Sequence, residues 1–110
     1  MINKVYSGRK TPHGKTVVTV NGKPLPLYRR SGFYSDSFTW GRSAEETCGM
    51  QLAWALINEH FQRRSLKMRM EKCATYHYTL IPEVVRKLRR EWKLTDSDLE
   101  QAFARIDDRA

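Results

Sequence analysis

Few residues in this 110-residue chain are of types that do chemistry, and their spacing decides how far each can be taken. Cys73 and His77 are four apart, a separation that puts both on one face of a helix and can offer two ligands to zinc. A four-ligand set would also need Cys48 and His60, which are twelve apart. On a helix that leaves them about 120° apart around the axis, so they diverge. No CxxC pair is present. The thiols therefore read as small buried hydrophobes, with no metal centre and no disulfide framework expected. His13, His60 and His77 fall in three different elements, and no Ser or Cys has the Gly-flanked setting of a nucleophile elbow. Phosphate-binding loops of the GxxxxGK or GxGxxG type are absent. Glu45, Glu46, Asp96 and Asp98 stand at helix starts, where a carboxylate complements the helix dipole. The chain is expected to be no enzyme, with no catalytic residue and no cofactor.

Charge is the stronger signal. The net charge is +8, and it is unevenly placed. Residues 1–34 carry seven Lys or Arg and no acid, and residues 62–93 carry ten bases against three acids. The intervening 35–61 and the final 94–110 are mildly acidic. If a helix runs on from Pro82, Val85, Leu88 and Trp92 face inward, and Arg86, Arg89, Arg90 and Lys93 gather on the opposite side with Lys87 at the margin. Arg63, Arg64, Lys67 and Arg69 extend such a patch if the preceding helix lies alongside. Like charges crowded on one face invite a polyanion, and Arg offers paired donors to phosphate oxygens. Nucleic acid, contacted through its phosphate backbone, is the leading expected partner. Sequence-specific reading has less support, since no helix-turn-helix signature or RNA-binding aromatic motif is present. Tyr6, Tyr28, Phe33 and Tyr34 lie near Lys4, Arg29 and Arg30 and could stack on bases, but they serve a sheet core equally well. An acidic or nucleic-acid-binding surface of a host protein is the alternative, the chain then acting as an interaction module or as an inhibitor of a defence complex. Self-association through Met50 and Trp54, which lies off the main apolar stripe, stays open. So does docking at the hairpin edge from Lys23 to Tyr28, which its prolines discourage.

These residues need elements to position them. At 110 residues the chain reads as one domain, residues 1–41 mostly strands and 43–106 mostly helices. Lys4 to Gly8 and Lys15 to Val20 read as strands, the second rich in β-branched residues. Asn21-Gly22 then suits a tight hairpin, and Pro24 and Pro26 confine the return strand to an edge. Phe33 to Trp40 is a candidate third or fourth strand, with Phe38 and Trp40 on one face. Ser43 and Glu46 have capping-box spacing, and behind them Leu52, Ala53, Leu56, Ile57 and Phe61 predict a core helix from about Ala44 to Gln62. A second helix starts near Ser65, with a stripe through Leu66, Met70, Cys73 or Ala74, His77, Tyr78 and Ile81. Pro82 is expected to break or kink it. Thr95 and Asp98 cap a last helix carrying Leu99, Ala102, Phe103 and Ile106, with residues 107–110 frayed. The fold class is α+β: an N-terminal antiparallel sheet of three or four strands followed by three or four helices packed on it.

Several short motifs carry a resemblance across most of the chain. They are Tyr6-Ser7-Gly8, Phe38-Thr39-Trp40-Gly41, the helix Gln51-Leu52-Ala53-Trp54-Ala55-Leu56, and the ending Glu91-Trp92-Lys93-Leu94-Thr95-Asp96. Together the chain is similar to a small family of bacterial and phage domains of unknown function. The segment Arg42 to Met50 departs from that family's Gly-rich pattern, keeping only Gly49. The resemblance implies a small α+β fold and a mobile-element or phage setting, and it brings no activity with it. No run approaches the roughly 18 apolar residues of a membrane span. The opening MINKVYSGRK lacks the apolar core of a signal peptide. A cytoplasmic protein without membrane contact is the expectation.

Overall fold

A computed structural model describes residues 3–29, 37–42 and 47–109. Strands β1 (Val5–Lys10) and β2 (Thr16–Val20) form an antiparallel pair, joined by a turn in which Thr11 N–H donates to Lys15 O at 2.7 Å. Asn21 and Gly22 both adopt positive φ, 50° and 82°, as a tight type I′ hairpin requires, and lead into β3 (Lys23–Pro24). Pro24 and Pro26 limit β3 to two residues at one edge of the sheet. Helices α1 (Thr47–His60) and α2 (Leu66–Glu83) follow, then a single 3₁₀ turn (Val85–Lys87), strand β4 (Trp92–Thr95) and helix α3 (Asp96–Arg109). The sheet has the order β3-β2-β1-β4 and is antiparallel throughout. The architecture is the expected α+β arrangement, with a four-stranded antiparallel sheet and three α-helices among the described residues.

The helices cover one face of the sheet. Tyr6, Gly8, Val18 and Trp92 share that face by register and are buried, whereas Ser7, Arg9, Thr19 and Lys93 lie on the other face, half-buried or exposed. Trp92 lies directly over Gly8 and meets Trp40 edge-on at 5.5 Å. Helix α1 is the centre of the core. Leu52, Ala53, Leu56 and Ile57 are buried as expected, but so are Gln51 and Ala55, so the helix is covered on more than one side. Gln51 is satisfied there. Its Oε1 accepts from Tyr28 N–H at 2.7 Å and its Nε2 donates to Tyr28 O at 2.9 Å, which fixes the chain beyond the β3 edge. The Ser43–Glu46 capping box lies outside the described residues. At α3 the Thr95–Asp98 box forms in both directions, at 2.9 and 3.1 Å, and Leu99, Ala102, Phe103 and Ile106 are all buried.

Four expectations need correction. The fourth strand is Trp92–Thr95, not the stretch before Gly41. Ser37 to Trp40 is not a strand, although Phe38 and Trp40 are both buried, and 33–36 lie outside the described residues. Second, no helix runs from Pro82 to Lys93. Helix α2 passes through Pro82, which gives up the bond to Tyr78 O, and ends one residue later at Glu83. The chain then turns, and Gly41 N–H donates to Val85 O at 2.9 Å. Third, the buried face of α2 is Cys73, Tyr76, Leu80 and Ile81, while Tyr78 is 79% exposed. Fourth, α3 does not fray at Asp107. It runs to Arg109, and Tyr76 OH donates to the Asp107 carboxylate at 3.0 Å.

Candidate functional site

The basic residues singled out from sequence form two groups at opposite ends of β1. Arg86 and Lys87 lie in the 3₁₀ turn, Arg89 and Arg90 in the connection after it, and Lys93 on β4 opposite Ser7. Trp92 pairs with Gly8, so this connection arrives beside the second half of β1. Arg86 is half-buried and engaged by the fold. Lys87, Arg89, Arg90 and Lys93 are exposed, and none forms an ion pair with a described residue. They lie on the end of the 3₁₀ turn, an irregular connection and a strand, not on the helical face that period-four spacing suggested. Arg9, on the uncovered face of the sheet, joins Lys93 and Glu91 around a shallow cavity of about 400 Å³ that also takes in Ser7 and Thr19. Sequence reasoning missed Arg9. Its signal is the two-residue alternation that puts Tyr6 and Gly8 inward and Arg9 outward.

Arg63 and Arg64 sit at the other end, in the turn that closes α1, and Lys67 is exposed on the first turn of α2. Here α1 ends against the start of β1 and the start of α3, and three elements bring ionisable groups together. Lys4 Nζ donates to Glu59 O and Glu59 Oε2, both at 2.7 Å, and to Gln62 Oε1 at 2.6 Å. That satisfies the ammonium and caps the negative end of the α1 dipole. Asp96 accepts from Lys4 N–H at 2.8 Å and from Tyr6 OH at 3.2 Å. Its Oδ1 also lies 3.0 Å from His60 Nδ1, while His60 Nε2 meets Glu100 Oε1 at 2.5 Å. The cluster walls a cavity of about 770 Å³ that also reaches Arg63 and Arg64. Burial, with Asp96 alongside, holds the Tyr6 hydroxyl well above the usual phenol range.

The remaining candidates are structural. Tyr6 and Tyr28 are buried, so neither offers a face to a base, while Phe33 and Tyr34 lie outside the described residues. Trp54 is half-buried between Tyr28 at 5.0 Å and His77 at 4.6 Å, so it is packed within the fold. His77 Nδ1 is 2.8 Å from Cys73 O. Among the described residues no group of three or more His, Cys, Asp or Glu could hold a metal ion. Cys73 faces inward, its Sγ 3.7 Å from Trp54 O, and burial pushes its thiol up to about 12 against the pull of Arg69. Thiolate is the reactive form, so iodoacetamide should leave Cys73 unlabelled at neutral pH until the protein is denatured.

The raised acids also set an alkaline limit. Tyr6, Cys73 and Tyr76 are all held above their ordinary values by burial, Tyr76 with help from Asp107. The unfolded chain therefore gives up these protons first. Their contribution is complete below pH about 8.5, the ordinary thiol value, and is lost as pH rises toward the folded thiol's value. Melting temperature should fall steadily from pH 9 to 11, and Cys73→Ala should flatten that slope. A profile flat to pH 11 in the wild type would contradict the burial of these groups.

With the geometry in place, comparison with known families gives one result: the model of the DUF6166 family, a family of unknown function, matches residues 6–105, and the chain belongs to that family. No curated protein and no solved structure matched. Among the described residues, no helix is long and apolar enough to cross a membrane.

Proposed function

We propose that this DUF6166 domain is a non-enzymatic binding protein that holds nucleic acid by its phosphate backbone. The contact surface is the basic connection of Lys87, Arg89 and Arg90, continued by Lys93 and Arg9 on the open face of the sheet. One observation carries the reading: four exposed cations, Lys87, Arg89, Arg90 and Lys93, lie within seven positions and pair with no described carboxylate. Cations left without internal partners gain most from a polyanion, which releases its own counterions on binding. Trp92, which lines the shallow cavity beside these cations, is buried and packed edge-on against Trp40, so the reading is backbone contact without base stacking. Action in the cytoplasm, in a mobile-element or phage setting, belongs to the same proposal.

The test is a titration against mixed-sequence DNA and RNA at several salt concentrations. The logarithm of affinity should fall against the logarithm of salt with a slope of about −0.9 per phosphate contact on duplex DNA. Reversing Lys87, Arg89 and Arg90 to Glu should lower affinity at least about tenfold and flatten the slope. Absence of binding at low salt would overturn the reading. A pull-down from nuclease-treated host lysate, lost in the same triple variant, would then assign these cations to an acidic protein surface.

A further inference from the structure

We propose that the cavity between the end of α1 and the start of α3 is a phosphate-binding pocket in which the Glu100 carboxylate occupies the ligand's place. The proposal uses none of residues 86–93, so it stands or falls apart from the reading above.

The donor side of this pocket is built into the fold. The His60 ring lies edge-on to Phe61 at 4.8 Å and to Phe103 at 5.4 Å, and Asp96 holds its Nδ1 at 3.0 Å. Those contacts leave Nε2 as the ring atom facing outward, and there Glu100 Oε1 meets it at 2.5 Å. The partners differ sharply in burial: the His60 side chain is 6% exposed and that of Glu100 is 64% exposed. A fixed donor is thus met by a long, solvated side chain that loses rotamer freedom to stay in place. A carboxylate only accepts, so Nε2 donates to Glu100, and an oxyanion in the place of that carboxylate would accept from the same atom.

The rest of the wall suits more charge than Glu100 brings. Arg63 and Arg64 reach the same cavity, are exposed, and form no ion pair with a described residue. A carboxylate offers one charge and two oxygens. A phosphate group offers up to two charges and three oxygens, enough for both guanidinium groups and His60 together. Lys4 is spent on Glu59 and Gln62 and takes no part. Asp96 also lines the cavity and opposes an anion, but its oxygens are already taken up by Lys4 N–H, Tyr6 OH and His60 Nδ1. Glu100 must swing into solvent, and its exposure lets it. The cavity, about 770 Å³, has room for a nucleoside behind the phosphate. A nucleotide's terminal phosphate and free inorganic phosphate share the required chemistry.

Calorimetric titration with inorganic phosphate, adenosine 5′-monophosphate and adenosine tests the proposal, with the His60 ring resonances followed by NMR. Both phosphates should bind the wild type with dissociation constants on the order of 1 mM, and adenosine should not bind. Glu100→Ala, which removes the internal competitor, should tighten both by about tenfold, and Arg63→Ala with Arg64→Ala should weaken both by at least about tenfold. All three changes fall on exposed side chains, so circular dichroism should be unaltered. Adenosine 5′-monophosphate binding about tenfold tighter than phosphate identifies a nucleotide ligand, and equal affinity identifies phosphate alone. The proposal is overturned if the Glu100→Ala protein binds neither phosphate at about 50 mM, far above that affinity. It is equally overturned if loss of both arginines leaves affinity unchanged, or if adenosine binds as well as its monophosphate.

Discussion

Gly8→Ala is expected to cost about 3 kcal/mol or more, at the upper end of what overpacking a core does. A methyl group on Gly8 would lie 2.5 Å from Trp92 Cζ2 and closer still to Cε2 and Nε1. The indole cannot yield cheaply, since it is buried and held edge-on by Trp40. Gly8 and Trp92 are also directly paired across β1 and β4, so moving one shifts the other's strand. For a domain of this size each kcal/mol is worth roughly 4–8 °C of melting temperature, which makes the loss easy to see by thermal unfolding. Because the cause is a collision, trimming the other partner should relieve it. Gly8→Ala with Trp92→Leu should be less destabilised than the two single changes summed. Strict additivity would mean that the methyl group finds room elsewhere.

The second large effect is expected at Asp96. Two acidic residues near the start of α3 look alike in sequence, yet their surroundings differ. Asp98 closes a capping box with Thr95, and Asp98→Ala should cost about 1 kcal/mol, the usual value of a cap. Asp96 accepts from Lys4 N–H and the fully buried Tyr6 hydroxyl and sits against His60. Asp96→Ala strands those donors and should cost about 3 kcal/mol, since a buried donor left without an acceptor forfeits its full desolvation energy. The figure allows for the 23% exposure of the Asp96 side chain, which lets water replace part of the loss. Denaturant titration of the two variants in parallel decides the matter. Equal costs would mean that water already serves this cluster.

These two sites mark how far the chain could be read unaided. Signals closed within a few residues were legible: Asn21-Gly22 at the hairpin, Ser65 and Thr95 at helix starts, and the Leu99, Ala102, Phe103, Ile106 face of α3. β4 was not legible, because Trp92 satisfies two patterns. It completes a period of four with Leu88 and a period of two with Leu94. What selects the strand is the free edge of β1, which local periodicity does not encode. The helical face expected to carry Arg86, Arg89, Arg90 and Lys93 does not form, for the same reason. The cluster around His60 was missed because Lys4, His60 and Asp96 belong to three elements far apart in the chain. Each had a sufficient local explanation, Asp96 as a dipole complement among them. A His at the end of a core helix and an Asp beginning another were the only written clues.

The order in which the sheet acquires its strands bears on how the protein is made. β1 leaves the ribosome ahead of the other strands, yet its pairing runs from Val5 opposite Thr95 to Gly8 opposite Trp92, more than eighty residues later. At roughly 5–20 residues per second, that edge stays open for several seconds of synthesis. An unpaired strand of this kind is a template for the wrong partner, and Arg9 and Lys10 at its far end are the sort of charged residues that discourage such pairing. Nascent chains stopped before Trp92 should therefore aggregate or be degraded, and the sheet should close only once β4 has been released.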